Sequence, residues 1–110
     1  MAYDQDLADR LRALLSGEPD VVEKPMFGGL AFLVAGHMAV SASGQGGLLL
    51  RVDPAQSEAL IQDPRVSPFE MRGKPMAGWL RVDADDSVSE DELGRWVGLG
   101  VAVARSLPPR

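Results

Sequence analysis

Leu7, Leu11, Leu14 and Leu15 repeat at the i, i+4, i+7, i+8 spacing of a single helix face. Asp4 precedes them as a cap acceptor, and Gly17 with Pro19 ends the stripe, glycine accommodating a left-handed cap. The pattern then changes. GGLAFLVAGHMAVSA, residues 28–42, holds two apolar runs separated by Gly36 and His37, which predicts a tight hairpin. SGQGG, residues 43–47, reads as a looser turn, and LLLRV, residues 48–52, as a third strand. Asp53-Pro54 starts a helix running to about Gln62, with Ala55, Ala59 and Leu60 on a weak apolar face; Asp63-Pro64 stops it. VSPFEMRGKPMAGWLRVD, residues 66–83, predicts two strands turning at Gly73, with Pro68 marking the first as an edge strand or one that begins irregularly. After a polar loop, Ser89 and Glu92 form a capping-box pair. The last helix then carries Leu93, Trp96, Val97, Val101 and Ala104 on one face. Gly94, Gly98 and Gly100 lower its helix propensity and predict a close approach to the sheet.

The order is α-β-β-β-α-β-β-α. Hairpins flanking a helix imply an α+β domain with a mostly antiparallel, five-stranded sheet packed by helices. The length of 110 residues fits one domain, residues 1–110.

One phrase occurs twice. KPMFGGL starts at Lys24 and KPMAGWL at Lys74, and these are the only lysines. Two copies are too few for a solenoid. Similar local demand explains them: proline outside the ladder, methionine filling a rim gap, glycine at a bend, leucine in the core. Both phrases are expected to lead from loop to strand at neighbouring positions, with Met26 and Met76 largely buried.

Composition removes several classes of chemistry. There is no cysteine, which rules out disulfides, thiolate nucleophiles and cysteine-bound zinc. The acidic residues number 16 and the basic 11, for a net charge of −5, against the basic balance of an autonomous nucleic-acid binder. The polar start, MAYDQDLADR, is unlike a secretory signal, and no apolar run reaches membrane-span length. A cytoplasmic protein is expected.

Met26-Phe27-Gly28-Gly29, Pro75-Met76, Gly78-Trp79 and the closing ARSLPP resemble the N-terminal domain of the TfoX/Sxy competence-regulator family, over about Tyr3 to Pro109. The resemblance implies an α+β fold similar to secretion-chaperone-like domains and a regulatory, non-enzymatic role. It also implies a protein partner such as a transcription factor; for full-length members that partner is the cyclic-AMP receptor protein. Full-length members carry a second, C-terminal domain with helix-hairpin-helix character; the resemblance here covers the first domain alone.

No catalytic constellation competes with that reading. His37 stands alone in a turn, GQGG at residues 44–47 lacks a following helix, and DADDS at residues 83–87 lacks the spacing of a calcium loop. No metal or cofactor is expected. The candidate binding residues are Lys24, Met26, Phe27, Gly28, Gly29, Arg51, Arg72, Lys74, Met76, Gly78 and Trp79. They would form a cationic edge over an apolar floor, suited to a protein partner. The alternative use of that edge is to hold a small anionic ligand or substrate. Self-association through an exposed sheet edge, giving a homodimer, is a further expectation.

Overall fold

A computed structural model describes residues 3–26, 28–71, 73–84 and 87–108, with Met71 described by its backbone alone. Helix α1 spans Gln5–Leu14, and Asp4 caps it by accepting from the amides of Asp6 and Leu7 at 3.0 and 3.2 Å. Leu7, Leu11 and Leu15 are buried, as their spacing predicts. Beyond the helix it is Asp20 (φ 62°), and not Gly17, that takes the left-handed conformation.

Six strands follow: β1 Val21–Met26, β2 Gly29–Val34, β3 His37–Ala42, β4 Leu48–Arg51, β5 Val66–Met71 and β6 Lys74–Val82. They form one antiparallel sheet in the order β1-β2-β3-β4-β6-β5. The α+β class stands, but the expected five strands are six. The strand the sequence hides is β1, whose VVEKPM run is largely exposed. It holds its place by pairing with β2 from Val21–Val34 to Met26–Gly29. Arg12 of α1 also donates to both carboxylate oxygens of Glu23, at 2.6 and 2.8 Å. These hydrogen bonds keep the Glu23 carboxyl below the ordinary glutamate range. Pro68 does mark an edge strand, because β5 closes the sheet opposite β1.

The β2–β3 turn is Ala35-Gly36, both with positive φ (52° and 87°), and His37 is already paired with Val34. The turn therefore lies one residue earlier than expected. Between β4 and β5, Asp53 caps the amide of Ala55 at 3.0 Å, but the expected continuous helix is replaced by two short pieces. These are a 3-10 turn, Pro54–Gln56, and a single turn of helix α2, Ser57–Leu60.

Helix α3, Glu90–Ser106, is capped by Ser89, which accepts from the Glu92 amide at 3.1 Å. Leu93, Trp96, Val97 and Ala104 are buried. Of its three glycines only Gly100 meets the sheet: a Cβ there would stand 2.4 Å from the Ala39 carbonyl oxygen. Gly98 has open space, and Gly94 meets only Leu14 at 3.8 Å.

Side chains alternate across the sheet, so its two faces differ. Leu30, Phe32, Val40, Leu50, Leu80 and Val82 face the helices and join Leu11, Leu93 and Trp96 in one core. A bulge between Phe32 and Leu33 shifts the register, so that Phe32 opposes Val40 while Leu33 opposes Met38. That shift lets Ala39 pack with Val34 and Ala104, while Met38 lines a groove on the other face. Among the described residues the helices pack on the core side alone, which leaves the opposite face of the sheet without a helix over it, although Ala31 and Ser41 on that face are buried.

Candidate functional site

The two matching phrases occupy different structural positions. KPMFGGL spans the end of β1, the connection holding Gly28, and the start of β2. KPMAGWL lies wholly in β6, just after the turn at Gly73. Neither proline stands outside the ladder, since Pro25 is in register with Leu30 and Pro75 with Glu70. Both are tolerated for the same reason, an unpaired flank. β1 is outermost, and β4 reaches only Trp79–Val82 of β6. The phrases are not neighbours either: β2, β3 and β4 separate β1 from β6.

What joins them is the open face. β6 makes a wide bulge opposite β5, where the register jumps from Leu80–Pro68 to Pro75–Glu70. Gly78 sits in that bulge at φ +84°, and the Val52 amide donates to its carbonyl at 2.8 Å. Beyond the bulge the β5–β6 arm leans over the sheet. Phe69, Met76 and Trp79 therefore line one groove together with Met26, Met38 and Leu49. Its volume is about 460 Å³. Met26 is half-buried, in keeping with the expectation of a largely buried side chain, whereas Met76 is 38% exposed and corrects it. They are groove wall, not core. The polar lining includes Ser41, whose hydroxyl donates to the Leu30 carbonyl at 3.1 Å, and Glu70.

The first phrase has its own packing device. A Cβ on Gly29 would stand 2.3 Å from the Ala42 carbonyl oxygen, and one on Gly44 would stand 2.6 Å from that of Gly28. The β1–β2 connection is thus stacked on the β3–β4 turn, which holds Met26 at the groove. Gly28 itself has φ +76°. Gly28→Val and Gly78→Val should each lower unfolding free energy in denaturant titration by about 1–3 kcal/mol through strain at these positions.

The cations are distributed, not convergent. Arg51 stacks on Trp79, with its Cζ 5.2 Å from the ring centroid, a cation–π contact. Arg51 and Trp79 also border a second cleft of about 470 Å³, with Asp53, Gln56, Leu99 and Leu107. Arg81 donates to the Gly46 carbonyl at 2.8 Å, and its Nη1 is buried without an acceptor. Lys24 lies on the open face, since its neighbour Glu23 meets α1. Lys74 begins β6, and neither lysine lines the groove. Phe27 and Arg72 lie outside the described residues.

The sequence reading missed Met38, Leu49 and Phe69. The signal for Leu49 was the unbroken LLL of β4: alternation sends Leu48 and Leu50 to the core, so the middle leucine must face the other way.

His37 is remote from this surface; its Nε2 donates to the Pro108 carbonyl at 2.6 Å, pinning the segment after α3. Among the described residues, no group of three or more His, Asp or Glu side chains is placed to hold a metal ion. Nor is any helix long and apolar enough to cross a membrane.

A family model, the TfoX N-terminal domain, matches residues 13–104, from the last turn of α1 to the last turn of α3. No curated protein and no solved structure matches the chain.

Proposed function

The chain belongs to the TfoX N-terminal domain family, and on that premise we propose that it is a cytoplasmic regulatory domain that acts by binding another protein, such as a transcription factor, and not by catalysis. The family points to a competence-regulator-like domain. The observation that carries the binding reading is the open groove between Met26, Met38, Leu49, Phe69, Met76 and Trp79. Methionines with an aromatic anchor make an adaptable apolar surface, the composition of interface centres. Such a floor on one face of a sheet, with the core on the other, suits a docking partner better than a small polar substrate.

Affinity capture from the source cell tests the reading, with wild type and Met76→Glu as paired baits. Met76 is already exposed, so the variant should melt like wild type. The expected result is a protein retained by wild type and lost with the variant. Equal capture by both baits, or none by wild type, would reject the proposal.

A further inference from the structure

The cations of the open face stand outside the groove lining, on the same face of a molecule whose net charge is negative. Net charge is −5, yet the open face carries Lys24, Arg51 and Arg81. Glu70 is the one carboxylate among the described residues lining the groove. The acidic clusters are elsewhere: Asp4, Asp6 and Asp9 lie at α1, and Glu90, Asp91 and Glu92 in the first turn of α3. Ion pairing deepens the asymmetry. Arg10, Arg12 and Arg105 are engaged by Glu90, Glu23 and Glu18 on the helix side. No carboxylate among the described residues pairs with Lys24, Arg51 or Arg81.

We infer that the groove receives an acidic amphipathic helix of the partner, its large apolar side chains entering between Met26 and Met76 and its carboxylates meeting Lys24 and Arg51. This rests on the protein-binding reading above and names the chemistry of the partner. Three observations carry it. First, a basic partner would be drawn to the acidic helix side and away from the groove, whereas an acidic one is repelled there and steered to the open face. Second, Pro25 and Pro68 stand in the two outermost strands, where a missing amide donor opposes addition of a partner strand. The partner must therefore dock through side chains. Third, a methionine-lined groove of about 460 Å³ fits the i, i+4, i+7 anchors of a helix.

The test uses the full chain and fluorescein-labelled synthetic helices in anisotropy titrations. One helix carries leucines on one face and glutamates elsewhere; its match carries lysines in place of the glutamates. The glutamate helix should bind at least about tenfold more tightly. Its affinity should fall as salt rises from 0.1 to 1 M, where screening shortens from about 10 to about 3 Å. Lys24→Glu with Arg51→Glu should weaken it about tenfold and leave thermal unfolding near that of wild type. Equal or tighter binding of the lysine helix, lost in Met76→Glu, would overturn the acidic partner while leaving the groove as a docking site. No binding of either helix would overturn the inference, and the capture experiment would then decide separately whether the groove binds protein at all. Displacement of the glutamate helix by a single-stranded oligonucleotide would replace it with a nucleic-acid reading. A dimer in light scattering that Met76→Glu dissociates would replace it with self-association.

Discussion

Phe32→Ala is expected to cost the fold about 3–5 kcal/mol in chemical denaturation, the usual range for truncating a buried phenylalanine. Phe32 is 1% exposed and sits at the centre of the core side of the sheet. Its loss opens a cavity between β2 and the helices that neither rigid layer can close. Leu49→Ala supplies the contrast. Leu49 is also an apolar strand residue, but it stands on the groove face and is only half-buried. Its truncation should cost less than about 1 kcal/mol while weakening partner binding. Equal stability losses at the two positions would mean that the groove face is covered, and the assignment of core and open faces would fail.

Gly100→Ala is expected to destabilise by about 2–3 kcal/mol even though alanine is the better helix former. The new Cβ would stand 2.4 Å from the Ala39 carbonyl oxygen and 3.0 Å from its carbon. Those are backbone atoms of β3 that cannot rotate away, so α3 must lift from the sheet and loosen Trp96, Val97 and Ala104. Gly98→Ala, two residues earlier and with open space around it, should instead stabilise by up to about 1 kcal/mol. Opposite signs from the same substitution isolate the close approach from helix propensity. Stabilisation by both would show that α3 does not depend on contact at Gly100.

This contrast shows where the sequence was legible. Glycine in α3 announced a close approach, but glycine has no side chain whose spacing reveals which copy faces the sheet. Leu7, Leu11 and Leu15 were readable because burial on one face repeats with the helix period. Strand β1 was unreadable because it is an edge: its pairing is backbone to backbone, and Val22 is 60% exposed. Nothing in VVEKPM needed to look like a strand. The helix expected from Asp53 to Gln62 began with the right cap, but no residue of Pro54–Gln56 or Ser57–Leu60 is buried, so packing did not extend it. Met26 and Met76 are legible through the recurrence of their phrase and Trp79 as the aromatic residue of its second copy, and all three line one groove. The proposed reason, shared junctions at neighbouring strands, was not the one that operates. Their meeting depends on the bulge around Gly78, a tertiary bend that recurrence in sequence does not encode.

The strand order has a consequence for how the protein reaches its working state. β1 to β4 are neighbours in both sequence and space, whereas β6 must cross the intervening α2 and β5 to join β4 over four paired residues. Local pairings form at low entropic cost and distant ones at high cost, so the seam between β4 and β6 is the expensive step in assembly. The groove straddles that seam, with Met26 and Met38 on one bank and Phe69, Met76 and Trp79 on the other. A nascent or partly opened chain therefore holds only half of the groove. On the docking role proposed above, a change that weakens the seam would lower binding before it unfolds the protein.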